Sequence, residues 1–223
     1  MKAFRRIAPF IFLLSSISHS QIITYTFDGD VASAATTTTG VVASAVTSND
    51  STFSFPAGSS GDAISENGWE GSLGDQFFNF SFTMSSGYTL SLTSFDFNHR
   101  RGGTGPPTTF EVRSSTVGFA GGWATGTIQS IDNAAVKTTS SFSGVGERSV
   151  TLAGLTNVAA GTTVSIRIGT SGATGSSATL LLDDVEVFGS VSAVPEPSSF
   201  ATLAGLAMLG FAASRRRSRS TLA

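Results

Sequence analysis

The segment from residue 21 to 189 predicts an all-β fold, an antiparallel β-sandwich of jelly-roll type, and three features of the chain predict it. Glycine, serine and threonine punctuate the segment at short intervals. Its apolar residues alternate with polar ones and show no helical period. The candidate strands, about ten of them, are separated by short turns. Two sheets of such strands bury their apolar faces against each other, and a double-sheet jelly roll does so while limiting exposed edges.

Along the chain, Ile22 to Phe27 opens the series and ends at the turn sequence Asp28-Gly29-Asp30. Gly40 to Val46 and Ser51 to Phe55 are weaker strands in a region rich in Thr, Ser and Ala. Ser59 to Gly68 reads as a polar loop, after which Trp69 caps one end of the core. The clearest strand is Gln76 to Met84, where Phe78, Phe80, Phe82 and Met84 share one face and Asn79, Ser81 and Thr83 the other. In Tyr88 to Asn98 the parity slips: Tyr88, Leu90 and Leu92 face one way, Phe95 and Phe97 the other. Either a β-bulge near Thr93-Ser94 restores one face, or this stretch is two strands. Thr108–Ser114, Thr125–Ile131, Arg148–Leu152, Thr163–Gly169 and Thr179–Phe188 complete the set, with a glycine-rich loop around Trp123.

Both chain ends look like export signals. At the start, Lys2, Arg5 and Arg6 precede an apolar run from Ile7 to Ile17, and Ser18-His19-Ser20 places small residues before a cut at Gln21. Residues 1–20 therefore read as a signal peptide for the general secretion machinery; the alternative is an uncleaved anchor. At the other end, Pro195-Glu196-Pro197 is followed by fourteen small or apolar residues, Phe200 to Ala213, and by Arg215, Arg216, Arg217 and Arg219. A membrane-spanning helix needs about 20 apolar residues, so the run is short unless flanking arginines snorkel. Arginines directly after it keep that side cytoplasmic, which leaves residues 218–223 as a cytoplasmic tail.

This tail, Pro-Glu-Pro, short apolar helix and Arg cluster in that order, resembles the PEP-CTERM sorting signal of Gram-negative bacteria. The resemblance spans residues 195–217 and implies recognition by an exosortase, a membrane-embedded processing enzyme, with a cut near Pro195, Glu196 and Pro197. It also implies transient anchoring in the inner membrane followed by release to the envelope or the exterior, and a link to exopolysaccharide. Residues 190–194, with no core pattern, read as a tether between sandwich and signal. Proline on each side of Glu196 favours an extended peptide there.

Charge is partitioned in a way that the overall net of −2 conceals. Seven of the thirteen basic residues lie in the two terminal signals, so residues 21–194 hold six basic side chains against fourteen acidic ones, a net near −8. An acidic domain does not suit nucleic acid or an anionic membrane surface. The chain has no cysteine, which excludes disulfides and thiolate chemistry, and a domain of this size buries a core without them.

Few residues suggest chemistry. His99-Arg100-Arg101-Gly102-Gly103 is the densest polar cluster, with Arg113 expected near it on a neighbouring strand; it suits an anion or acidic sugar, or pairs with the domain's acids. Trp69, Tyr88 and Trp123 offer aromatic faces to a sugar, against core packing as the ordinary use. Asp183 shares the parity of Val185 and Val187 and so points inward, where it needs backbone amides or a calcium ion; Asp184 and Glu186 then face out. The strand Leu180 to Phe188 resembles the closing strand of secreted carbohydrate-binding and galactose-binding-like jelly rolls. Catalysis has thin support: only His99 remains once His19 leaves with the signal peptide, and no Gly-x-Ser-x-Gly elbow, phosphate loop or zinc spacing occurs. Three readings stand: a non-enzymatic structural or interaction protein of the envelope, a carbohydrate-binding module for extracellular polysaccharide, and a glycan-active hydrolase on two carboxylates.

Overall fold

The alternation in Phe77–Met84 is where the core begins. Phe78, Phe80, Phe82 and Met84 are buried, while the residues between them are half-exposed. The computed structural model describes residues 20–49, 53–58, 61–69, 76–119, 126–132 and 146–194, together with residues 202, 204–209 and 211. Strands are numbered along the chain. One six-stranded sheet runs β10 (Gly146–Thr151), β7 (Tyr88–Gly102), β12 (Thr179–Ala193), β1 (Ser20–Tyr25) and β2 (Thr36–Thr37), with β5 (Ile64–Asn67) also on β12. The other runs β3 (Val41–Ala43), β6 (Phe77–Met84), β11 (Thr163–Ser171), β8 (Thr109–Ser115) and β9 (Thr127–Asp132), with β4 (Thr47–Ser48) on β6. All pairings are antiparallel. Strands β6, β7 and β8, and again β10, β11 and β12, cross from one sheet to the other, the habit of a jelly roll.

Aromatic rings join the two sheets. Tyr25 of β1 meets Phe80 of β6 edge-on at 5.3 Å, and Phe80 meets Phe95 of β7 at 5.3 Å. Phe95 continues to Phe97 at 5.6 Å, and Phe97 to Phe110 of β8 at 5.7 Å. Val164, Ile166 and Ile168 of β11 fill the space between them. Tyr25 donates its hydroxyl to the Ser44 carbonyl at 3.1 Å, and burial raises its pKa far above the usual phenol value.

The parity slip in β7 is a bulge in one continuous strand. Phe188 of β12 lies opposite Ser94 and Gly189 opposite Leu92, so Thr93 is the extra residue. Leu90, Leu92, Phe95 and Phe97 are thereby all buried. A second bulge, not foreseen, lies in β12. Asp183 pairs with Asn98 and Glu186 with Asp96, so Asp184 and Val185 together oppose Phe97, and Asp184 takes a left-handed φ of 46°. The bulge flips the parity of the strand. Leu180 and Leu182 before it and Val185 and Val187 after it all enter the main core.

Three sequence expectations change. Ser59–Gly68 is not wholly loop, since Ile64–Asn67 is strand β5, paired to Leu182–Thr179. Ser51–Phe55 forms no ladder among its described residues beyond an isolated bridge from Ser54 to Ser65. Residues 190–194 are no free tether: Ser190, Val191, Ser192 and Ala193 pair with Ser91, Leu90, Thr89 and Tyr88, and the Val194 amide donates to the Gly87 carbonyl at 2.8 Å. Composition hid this pairing, because a strand end of small residues has no core pattern. The signal peptide lies outside the described residues, apart from Ser20, which opens β1. In the tail, residues 204–209 are helical and exposed. Among the described residues no helix is long and apolar enough to cross a membrane.

Phe80 is fully buried and touches rings from two strands of the facing sheet, so Phe80→Ala is expected to cost about 3–5 kcal/mol of stability. Urea denaturation with an unchanged m-value checks this.

Candidate functional site

What the first sheet turns outward is set by the bulge in β12. On β7 the outward residues are Asp96, Asn98 and Arg100; on β12 they are Leu181, Asp183, Asp184 and Glu186. Around the bulge lies an open cleft of about 340 Å³, bordered by Asn98, Asp184 and Glu186 with Phe97 and Arg148 beside them. Three side-chain hydrogen bonds lie in and beside it. Asn98 donates its amide to Asp184 Oδ2 at 3.0 Å, Gln21 to Glu186 Oε1 at 2.5 Å, and Ser149 its hydroxyl to Asp96 Oδ1 at 2.7 Å. Burial, then Asp96, then Asp184 raise the Glu186 pKa above its ordinary value, against the Gln21 hydrogen bond, which lowers it. The arrangement offers carboxylate acceptors and an amide on a flat strand surface, next to a guanidinium.

A second cleft, of about 410 Å³, lies farther along the same face. Arg100 borders it with Ser54, Ser65, Asn67, Thr179 and Leu181. Between the clefts, Asp183 is 1% exposed. It does not point into the main core, as its parity with Val185 suggested; the bulge turns it to the other side, where the segment around Gly58 covers it. A Cβ at Gly58 would stand 2.3 Å from Asp183 Oδ2, so glycine is what the cover can carry there. The Asp184 amide donates to Asp183 Oδ1 at 2.8 Å, the backbone satisfaction weighed against calcium above. The Asp28-Gly29-Asp30 segment is a turn, with Asp62 donating its amide to Asp28 Oδ1 at 3.2 Å and Gly29 donating to Asp62 Oδ2 at 3.1 Å. Among the described residues no three His, Asp or Glu side chains stand together for a metal ion.

The His-Arg-Arg cluster comes apart, because strand geometry sends neighbours to opposite faces. His99 is 1% exposed, wedged against Phe97 at 5.8 Å and Phe110 at 5.7 Å. Arg101 donates to the Pro107 carbonyl at 2.6 Å. Arg100 and Arg101 both border the second cleft. Arg113 is in the other sheet, paired with Glu111, so it does not join Arg100. Trp69 is 2% exposed, packed on Phe78 at 5.3 Å with its indole N–H on the Glu66 carbonyl at 2.7 Å. It has no face for a sugar. Tyr88 is half-buried over Gly40, where a Cβ would come within 2.7 Å of its ring. Trp123, Pro195, Glu196, Pro197, Arg215, Arg216 and Arg217 lie outside the described residues.

Residues 193–217 match the family described as the PEP-CTERM protein-sorting motif. The tail is a PEP-CTERM sorting motif. It marks an exported protein. No curated protein matches the chain in sequence. Among solved structures, the N-terminal CBM22-1-CBM22-2 tandem domain of Paenibacillus barcinonensis Xyn10C is similar at 12% identity and a TM-score of 0.43, over 82% of this chain and 49% of that one. This chain thus spans about half the length of that protein. The K2 cleaved adhesin domain of Lys-gingipain is similar at 13% identity and a TM-score of 0.37, over 76% of this chain and 97% of that one. Both are likenesses of shape.

Sequence reading missed the cleft because its residues straddle an unforeseen bulge. The signal was present: three acids within four residues, Asp183, Asp184 and Glu186, break an otherwise apolar strand.

For Glu186 the sign is clear. Its folded-state pKa is raised, so its ionised form is disfavoured in the native state and stability falls as pH rises through the interval between its ordinary and raised values. Glu186→Gln is therefore expected to raise Tm slightly at about pH 7 and to leave it unchanged at about pH 3, where the wild-type carboxyl is protonated. Calorimetry at the two pH values tests this.

Proposed function

We propose that this protein is an exported envelope or matrix component that acts by binding and not by turnover, delivered through its C-terminal signal. The observation that carries this reading is the match of residues 193–217 to the PEP-CTERM motif, abutting a complete β-sandwich. In this reading residues 1–20 direct general secretion and are removed. The apolar segment from Phe200 holds the chain at the inner membrane with Arg215–Arg217 on the cytoplasmic side. An exosortase then processes the tail and the sandwich passes to the cell surface or the medium. No catalytic constellation is assigned to it.

A second reading, a module that binds extracellular polysaccharide, is favoured by the outer face of the first sheet. A polyhydroxylated chain needs donors and acceptors on a flat, accessible surface, and Asn98, Asp184, Glu186 and Arg100 supply both along two adjoining strands. Without an exposed tryptophan among the described residues of that face, hydrogen bonding would supply the affinity.

Replacing Arg215, Arg216 and Arg217 by Ser is expected to abolish surface delivery, with mass spectrometry of the wild-type protein showing a processed C-terminus and a new N-terminus near Gln21. Normal delivery of the variant, seen by fractionation, would sink the sorting role. For the second reading, affinity electrophoresis in the host's exopolysaccharide is expected to retard the wild-type sandwich, and Asn98→Ala with Asp184→Ala to reduce that retardation at least tenfold. Equal mobility with and without the polysaccharide counts against it.

A further inference from the structure

The end of β12 is built differently from the rest of that strand. Up to Gly189 it is paired on both sides, with β7 on one edge and β5 or β1 on the other, the last β1 pair being Ser20 with Gly189. From Ser190 to Ala193 only β7 pairs with it among the described residues. Burial falls away over the same stretch. Val187 is buried, Val191 is half-buried against the core, Ser192 and Ala193 are exposed, and Val194 is 47% exposed. The ladder closes with the Val194 amide on the Gly87 carbonyl, and Pro195 has no N–H to extend it.

A processing enzyme holds its substrate as an extended peptide through main-chain hydrogen bonds. Pro195 and Pro197 give it no amide donors, so upstream recognition falls on the amides of Val191 to Val194. In the folded sandwich every second amide of that stretch is committed to β7, as Val194 is to the Gly87 carbonyl. We propose that Ser190–Val194 is a detachable strand end that forms the docking segment for the membrane-embedded processing enzyme, which takes the chain only when this segment has peeled from β7. In the cut itself the enzyme's nucleophile bonds to a carbonyl carbon of the tail, the C–N bond breaks, and the helix leaves as an amine that takes up the nucleophile's proton; water then hydrolyses the acyl-enzyme, which frees the sandwich as a carboxylate and restores the nucleophile. Afterwards the segment closes on β7 again, and β12 stays whole in the released sandwich. This rests on the exosortase reading given above.

The test uses the absence of cysteine, which leaves an engineered pair without competitors. Ser192 and Thr89 face each other across the ladder. In full-length Thr89→Cys/Ser192→Cys, the oxidised form is expected to be processed at least tenfold more slowly than the wild type, with the rate restored by reductant. Equal rates for oxidised and reduced forms overturn the proposal. A wild-type chain that is never processed overturns the exosortase reading beneath it. Restoration by reductant separates locking from misfolding. Hydrogen exchange on the purified full chain gives an independent measure: the amides of Ser192 and Val194, which face β7, are expected to exchange at least tenfold faster than those of Val185 and Val187, and equal protection overturns detachment.

Discussion

One strand has to satisfy three neighbours. β12 meets β7 along its whole length on one edge, and on the other it is shared between β5, opposite Thr179–Leu182, and β1, opposite Val185–Gly189. Where the second edge changes partner, the ladder cannot run on regularly, and that is where the bulge of Asp184 and Val185 occurs. A left-handed residue here costs something of order 1 kcal/mol, and aspartate is one of the few non-glycine residues that tolerates it. The gain is larger than the cost. Without the extra residues, Val185 and Val187 would share the face of Leu181 and Asp183, and half the strand would lose its core contacts. The pairing of the first strand with the last also makes the sheet depend on long-range contacts. Such a fold closes late, because β1 cannot pair until β12, near the far end of the chain, is in place.

Patterns confined to one strand were readable from sequence, and patterns that depend on a partner were not. The alternation of β6 declared its buried face, and the slip between Leu92 and Phe95 declared the Thr93 bulge, because an apolar run that changes parity must bulge or break. β5 gave no such sign. Ile64-Ser65-Glu66-Asn67 is polar in composition, yet Ser65 and Glu66 are buried because β12 and the Ser54 segment cover them. Tertiary context overrode local preference. The last residues of β12 fail in the same way: small polar residues pair through main-chain groups, to which composition is blind.

The candidate site follows the same division. Composition marked His99, Arg100 and Arg101 as one cluster, but strand residues one apart face opposite ways, so His99 parts from Arg100, while both arginines still border the second cleft. His99 joined the aromatic core and Arg100 the outer face. Asp183 was rightly expected to be buried, but on the wrong side, since its assigned parity ran through a bulge that no residue before Asp184 announces. The outer cleft combines strands 80 or more residues apart in sequence, as the hydrogen bond from Asn98 to Asp184 shows. No local motif encodes such a meeting.

The acidity of the sandwich and the basicity of the two ends belong together in this architecture. Ser20 pairs with Gly189, so the N-terminal segment and the tail that follows β12 leave from the same end of the first sheet. Both are basic; the body between them holds a net charge near −8. A charge distribution of this kind keeps the arginines at the cytoplasmic face and leaves the folded body with no electrostatic attraction for an anionic bilayer. Under the processing proposed above, severing the tail takes its arginines away from an acidic body.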